Sequence, residues 1–139
     1  MKSILIDAGP IIALFNKNDR YHEKVLNYLK NYNGKLYSSW AVLTEASHML
    51  SFSIAAQMDL LKWVRSGAID LIDMDNVDID RILELSKKYS DVPMDLADAT
   101  LVVIAEKLEI KEILTIDNDY YIYRTIEKEM IENVLDKKL

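Results

Sequence analysis

Short apolar runs alternate with longer amphipathic segments along the chain. The runs have the length and β-branched content of buried strands, and the longer segments repeat apolar residues every three to four positions, as helices do. The predicted strands are "SILI" (3–6), "KLYSS" (35–39), "IDLID" (69–73), "EILTI" (112–116) and a last one near "MIENVL" (130–135). The predicted helices cover roughly 10–15, 19–32, 41–50, 55–64, 78–89 and 94–108. This alternation predicts an α/β sandwich around a mainly parallel sheet.

Three residues give the expected helix starts. Pro10 suits the first turn of the first helix, where the missing N–H costs nothing. Asp19 is expected to cap the second helix, and Asp78 to start the fifth. Asn33 and Gly34 end the second helix.

The composition predicts one globular domain over residues 1–139. The 139 residues suffice for a buried core, and half of them are hydrophobic. Three glycines and two prolines leave no long linker, and the absence of cysteine excludes disulfides and thiolate chemistry, as expected of a cytosolic protein. Asp7, Gly9 and Pro10 interrupt the apolar start, which argues against a signal peptide, and no apolar run approaches the length of a membrane span.

Acidic residues stand beside the apolar elements. Asp7 directly follows the first strand and Asp117 follows the strand at 112–116. In parallel sheets the ligand crevice lies at the carboxyl ends of the strands, so these two acids meet there if their strands are neighbours. Asp95 and Asp98 share a helix face in front of "ATLVVIA", and Glu45 lies inside the apolar segment "WAVLTEASHML".

Convergence of several carboxylates indicates a cation. Two carboxylates about 4 Å apart repel by roughly 4 kcal/mol at an effective dielectric near 20. Without a counter-ion such a site takes up protons instead. Mg²⁺ and Mn²⁺ prefer carboxylate and water oxygens, and one or two such ions suit phosphate chemistry.

Each acid also has a purely structural interpretation. Asp7 and Asp95 can cap helices, and Asp98 then falls in a first turn, where the helix dipole favours acids. Asp117 and Asp119 fit a turn, and Glu45 can pair with a lysine. Only the combination of acids therefore points to a site.

Three segments resemble the PIN-domain family, in particular the VapC-like ribonucleases of prokaryotic toxin–antitoxin pairs. They are "ILIDAGPIIALFNKNDRYHEKV", "SSWAVLTEASHML" and "MDLADATLVVIAEKLEIKEILTIDNDYYIYR", which together span almost the whole chain. The resemblance implies a three-layer α/β/α sandwich with about five strands. It also implies Mg²⁺- or Mn²⁺-dependent hydrolysis of RNA phosphodiesters by a metal-activated water, which leaves 5′-phosphate and 3′-hydroxyl ends.

The resemblance also assigns roles to residues. Asp7, Glu45 and Asp98 match the three core acids of the family, and Asp117 matches its more variable fourth acid. Asp95 matches a frequent companion of the third acid. Thr115 matches a polar position two residues before the fourth acid, where it orients a carboxylate or water or simply fills the strand.

The sequence departs from the family pattern near two of these acids. Ala8 stands where many members have Thr or Ser, which removes one hydroxyl. The turn after Asp117 is one residue short, and Tyr120 replaces the commoner Phe. These departures affect the expected substrate contacts more than the acids themselves.

The net charge of −6 argues against broad electrostatic binding of nucleic acid. A basic rim is therefore expected to contact RNA, and its candidates are Lys17, Arg20, Lys24 and Arg124. Family resemblance further implies a homodimer and an inhibitory antitoxin protein that fills the site.

Other functions remain open from the sequence. The chain can be a PIN-fold interaction module that does not cut, or a housekeeping RNA-processing nuclease without an antitoxin. Glu45 and His48 have the E-x-x-H spacing of di-metal helix bundles, but those bundles need two such motifs and two further helical glutamates, whereas this chain has one motif and predicted strands. Phosphate-binding loops of the G-x-x-x-x-G-K-S/T and G-x-G-x-x-G types are absent.

Overall fold

The computed structural model describes residues 1–92 and 94–135. Its strands are β1 (Lys2–Ile6), β2 (Gly34–Ser38), β3 (Asp70–Leu71), β4 (Glu112–Leu114) and β5 (Glu132–Asn133). Its helices are α1 (Ala8–Phe15), α2 (His22–Asn31), α3 (Trp40–Met49), α4 (Ile54–Arg65), α5 (Asn76–Lys88) and α6 (Leu96–Leu108), and a 3₁₀ turn covers Asn118–Tyr121. All the predicted elements are thus present, in the predicted order.

The five strands form one sheet in the order β3-β2-β1-β4-β5, and every neighbouring pair is parallel. The chain therefore builds outward from β1 to β3 on one side and then returns to pair β4 with the other side of β1. The register places Ile6 opposite Leu114, and the Asp7 N–H donates to the Leu114 carbonyl at 3.0 Å. The carboxyl ends of β1 and β4 consequently lie side by side.

Helices cover both faces of the sheet. Ile4, Leu5 and Ile6 are consecutive in β1, so their side chains point to alternate faces, yet all three are 0% exposed. α6 is buried almost all around, since every residue from 97 to 105 is buried. It spans 13 residues, and no helix within the described ranges is long and apolar enough to cross a membrane.

Two predicted helix starts are wrong, and both errors concern acids that bond locally. Asp19 accepts the Tyr21 N–H in a turn, and α2 begins only at His22 without a side-chain cap. The N-cap of α5 is Asp75, whereas Asp78 is the third helical residue. The side chains of Asp75 and Asp78 each accept the backbone N–H of the other residue, which forms a capping box. From the sequence alone, either acid could be the N-cap. The predicted strand at 69–73 shortens to the two residues of β3.

Candidate active site

The site lies where the strand order reverses. β1 and β4 are neighbours in space but belong to opposite halves of the sheet, and such switch points open a crevice beyond the carboxyl ends of the strands. Asp7 follows β1 directly, and Asp117 lies three residues beyond the end of β4. α6, the helix that leads into β4, delivers Asp98 to the same place.

Three carboxylates converge in this crevice. Asp7, Asp98 and Asp117 each offer one oxygen, and these oxygens all lie within 4.8 Å of one another. Asp7 and Asp98 are only 6% exposed, whereas Asp117 is half-buried. The ion pairs of the described residues include none of these three acids.

Thr115 connects two of the acids. Its hydroxyl donates to Asp7 Oδ2 at 2.9 Å and accepts the Asp117 N–H at 3.0 Å. Because Thr115 is fully buried, the hydroxyl has a fixed place between the end of β1 and the turn after β4. This bonding agrees with the predicted interpretation that Thr115 orients a carboxylate, a role that stays a prediction.

The structural interpretations of the acids are also present. The Asp7 side chain accepts the Ala8 N–H as the N-cap of α1, and Asp95 caps α6 by accepting the Asp98 N–H. Asp117 likewise accepts the Asp119 N–H. A carboxylate has about four lone-pair sites, so a capping bond leaves oxygens available for a cation. Capping and ligand binding are therefore compatible at these positions.

Two tyrosines complete the surroundings of Asp98. The Tyr120 hydroxyl donates to Asp98 Oδ1 and the Tyr123 hydroxyl to Oδ2, each at 3.3 Å. The sequence singled out Tyr120 only as a departure from the family pattern and did not single out Tyr123. A tyrosine within an acidic turn was the available signal, but its target on α6 depends on the fold.

Burial and mutual repulsion raise the pKa values of Asp7 and Asp98. Desolvation raises the pKa of Asp7 to about 6, against the opposing hydrogen bonds from Ala8 and Thr115. Desolvation, followed by the charges of Asp7 and Asp95, raises the pKa of Asp98 to about 8. At neutral pH the cation-free cluster therefore carries less than its full negative charge.

Glu45 and Asp95 lie on the same pocket, outside the group of three. This pocket, of about 320 Å³, has carboxylates and the apolar side chains of Ile12, Met49 and Ile116 in its lining. Glu45 is exposed on α3, and desolvation and the charges of Asp95 and Asp117 raise its pKa. Its exposure explains how a charged residue fits an apolar helix, and the ion pairs of the described residues include no lysine partner for it. His48 is also exposed and is not part of the carboxylate group, which leaves the di-metal bundle without support.

The predicted basic residues are not among those that line the carboxylate pocket. Lys17 and Arg20 are exposed beyond the end of α1, and the Arg20 guanidinium stacks on the Tyr21 ring at 5.0 Å. Lys24 is half-buried in α2. Arg124 Nη1 donates to the Tyr123 carbonyl at 2.8 Å, and its backbone N–H donates to the Tyr89 hydroxyl at 2.9 Å.

The donor set fits a hard divalent cation. Three carboxylates in an open pocket provide oxygen ligands only, and they leave room for water and for a ligand's own oxygens. A cation there also offsets the desolvation and the repulsion that raise the pKa values of Asp7 and Asp98.

Comparisons with known proteins give a consistent result. A family model described as "PIN domain" matches residues 4–126. Ribonuclease VapC26 of Mycobacterium tuberculosis is 24% identical over 120 residues, which are 85% of this chain and 89% of that protein. The crystal structure of M. tuberculosis VapC20, a sarcin-ricin loop cleaving toxin, superposes with a TM-score of 0.80 at 17% identity. That match covers 89% of this chain and 97% of the other, and it confirms the predicted three-layer fold with its central parallel sheet.

Proposed function

The chain belongs to the PIN domain family, and we propose that it is an endoribonuclease that hydrolyses RNA phosphodiester bonds with Mg²⁺ or Mn²⁺. The membership confirms the resemblance predicted from the sequence. Of the two similar proteins, VapC26 is a ribonuclease and VapC20 is a toxin that cleaves the sarcin-ricin loop. They support the same reaction class for this chain and a role as the toxin of a toxin–antitoxin pair.

One observation carries the proposal: three carboxylate oxygens lie within 4.8 Å of one another at the switch point of a parallel sheet. Asp7, Asp98 and Asp117 would hold the cation. When bound, Mg²⁺ or Mn²⁺ supplies Lewis-acid chemistry, since it offsets charge on phosphate oxygens and makes water a stronger nucleophile near neutral pH.

The protein's own residues position these groups. Thr115 fixes Asp7 and the turn that carries Asp117, because its hydroxyl bonds to both. Glu45, exposed on the same pocket, would orient a water or accept its proton, and a pKa raised by desolvation and by the charges of Asp95 and Asp117 makes it a stronger base. Asp95 holds the first turn of α6 through its cap and so positions Asp98.

The experiment compares RNA cleavage by the parent, Asp98→Asn and Asp78→Asn in EDTA, Mg²⁺ and Mn²⁺. Asp78 is the matched control, because it has the same place in its capping box but bonds Lys107 Nζ at 2.8 Å instead of facing acids. We expect cation-dependent cleavage by the parent and by Asp78→Asn. Asp98→Asn should lose at least about a hundredfold, in line with the loss of an essential electrostatic group.

Other outcomes point to other functions. Equal cleavage in EDTA and Mn²⁺, or full activity of Asp98→Asn, contradicts the proposed mechanism. Cation binding without cleavage of total cellular RNA or of a sarcin-ricin loop oligonucleotide favours the non-cutting interaction module. Sequencing of the cleaved ends identifies the RNA and shows whether they carry the expected 5′-phosphate.

We further propose a protein antitoxin and a homodimer as partners. One stripe of α4 supports a protein contact, because its apolar side chains lie at helical spacing and are each more than half exposed: Ile54, Met58 and Leu61. Light scattering of the isolated chain distinguishes a dimer from a monomer that needs an antitoxin to cover this stripe. A cytosolic location is also proposed and rests on the cysteine-free sequence.

A further inference from the structure

The two hydroxyls on Asp98 come from deeply buried tyrosines. Tyr120 is 2% exposed and Tyr123 is 0% exposed, and each donates to a different oxygen of the same carboxylate. Phenylalanine at either position would fill nearly the same volume without a hydroxyl. The packing of the turn therefore does not by itself require tyrosine at these two positions.

Aromatic packing fixes where these hydroxyls lie. The rings of Tyr120 and Tyr123 meet edge to face, with centroids 5.1 Å apart, and Tyr89 packs against Tyr123 in the same way at 5.2 Å. The Tyr89 hydroxyl in turn accepts the Arg124 N–H at 2.9 Å. Buried aromatic groups of this kind have few alternative rotamers, so the two donors are aimed at Asp98 before any ligand arrives.

Asp98 needs such a restraint more than its neighbours do. Its carboxylate faces Asp7 and Asp117, and repulsion from these acids favours a side-chain position turned away from the crevice. The Asp95 N–H holds only Oδ2, at 3.3 Å. The tyrosines add a donor to each oxygen and thereby hold both the position and the plane of the carboxylate.

We propose that Tyr120 and Tyr123 are positioning residues that hold the Asp98 carboxylate toward Asp7 and Asp117 for cation binding. The inference rests on the proposed function, because it assigns these hydroxyls a role in the same metal site. Neither tyrosine contacts the cation or the RNA in this scheme; both act through Asp98. Groups that orient metal ligands in this way typically contribute tenfold to a hundredfold to metal affinity.

The test measures Mn²⁺ binding without RNA. Free Mn²⁺ is followed by electron paramagnetic resonance at 25 °C for the parent, Tyr120→Phe, Tyr123→Phe and Tyr89→Phe. We expect each of the first two variants to bind Mn²⁺ about tenfold more weakly than the parent, near the lower end of the usual range because both bonds are 3.3 Å long. Tyr89→Phe also removes a buried hydroxyl, but one that bonds a backbone N–H, and should stay within about twofold.

Cleavage gives an independent readout. In the two variants the Mn²⁺ concentration for half-maximal cleavage should rise about tenfold. The kcat at saturating Mn²⁺ should stay near the parent value, because the two tyrosines affect metal binding and not the hydrolysis step. A purely structural role would instead lower the melting temperature and leave the Mn²⁺ dissociation constant unchanged, and that result overturns the inference. Each variant removes only one oxygen atom and is expected to fold, and circular dichroism verifies that both do.

The failures of the two proposals are distinguishable. If Asp98→Asn loses Mn²⁺ binding while Tyr120→Phe and Tyr123→Phe keep parental affinity, only the positioning role is wrong. If the parent takes up no Mn²⁺, the metal site and the positioning role are both wrong.

Discussion

Asp78 and Asp98 are the same residue type in the same local motif, and their surroundings give them opposite properties. Each is the third residue of a helix and bonds the N–H of its capping aspartate. Asp78 meets Lys107, whose hydrogen bond lowers the pKa of the carboxyl despite desolvation. Asp98 is desolvated and meets other acids, and both effects raise its pKa to about 8. A capping role thus does not determine whether an acid stabilises the fold.

Neutralisation of the two residues should therefore change stability in opposite directions. In EDTA at pH 8, Asp98→Asn should raise the free energy of unfolding by about 1 kcal/mol, because it removes a desolvated charge and its repulsion with the other acids. One pKa unit corresponds to about 1.4 kcal/mol, and lost tyrosine bonds offset part of the gain. Asp78→Asn should lower it by about 0.5–1 kcal/mol, since water screens Lys107, whose side chain is 37% exposed. Melting curves measure both changes. A decrease for both variants would mean that Asp98 is only a helix-end residue.

The raised pKa values also set the pH dependence of the cation-free protein. The pKa values of Asp7 and Asp98 are about 6 and about 8 in the folded state, above those of an unfolded aspartate. Their contribution is therefore fully present below the unfolded pKa and is lost as the pH rises through 6 and then 8. In EDTA the melting temperature should fall from pH 5 to pH 9.

Mn²⁺ should remove or reverse this decline, because the cation binds the deprotonated carboxylates and binds more tightly as they lose protons. Parallel melting curves from pH 5 to pH 9 with EDTA and with Mn²⁺ measure the difference. Asp98→Asn supplies the control, since its decline in EDTA should be shallower and its response to Mn²⁺ small. A flat profile for the parent in EDTA would contradict the repulsion among these acids.

The Thr115 hydroxyl links the acid that follows β1 to the turn that follows β4. Thr115→Val removes the donor to Asp7 and the acceptor for the Asp117 N–H while keeping the side-chain shape. The unpaired groups should cost about 1–2 kcal/mol of stability and weaken Mn²⁺ binding, and Thr115→Ser should restore most of both. Melting curves and Mn²⁺ titration measure these effects.

Thr100→Val is the matched control for this hydroxyl. Thr100 is also buried, but its hydroxyl bonds the Ala97 carbonyl and the Ser39 hydroxyl. Its loss should lower stability without changing Mn²⁺ affinity. Equal Mn²⁺ affinities of Thr115→Val and the parent would assign Thr115 a packing role only.

Element types were predictable from the sequence because their signals are local. Apolar runs and three-to-four-residue spacing gave five strands and six helices in the observed order. The helix starts at Asp19 and Asp78 were wrong because short acids bond the backbone equally well in turns and at the third helical position. Which strands are neighbours is not a local property, so the meeting of Asp7 and Asp117 was conditional until the sheet order was known.

The site was predictable to the same extent. The resemblance named Asp7, Asp98, Asp117 and Thr115, all of which the fold brings together. It could not place Glu45 at the pocket lining rather than in the carboxylate group, because the distance from Glu45 to the other acids depends on how α3 packs in the fold. Nor could it connect Tyr123 to Asp98, since the two hydroxyls reach α6 only through the packing of the turn after β4. Assignment of catalytic and metal-binding roles to these residues stays a prediction.

The whole molecule carries a net charge of −6, so its long-range field opposes the approach of RNA. The proposed binding of RNA must then depend on basic side chains close to the path of the RNA strand. Asp7 caps α1, which rises about 12 Å over its length, and Lys17 and Arg20 lie exposed just beyond the far end of this helix. An RNA strand that leaves the carboxylate pocket along α1 would meet both side chains.

Joint replacement of Lys17 and Arg20 by alanine should therefore raise KM several-fold at low salt and leave kcat unchanged, because the two contacts lie outside the reacting group. Loss of two phosphate contacts should also reduce the slope of log KM against log salt by about 1.4, as expected for single-stranded RNA. The matched control replaces Lys62 and Arg65, one lysine and one arginine in the last turn of α4, which leads to the amino end of β3. Steady-state cleavage between about 50 and 200 mM salt measures both pairs. If the two pairs change KM equally, only the net charge matters, and RNA follows no specific path over α1.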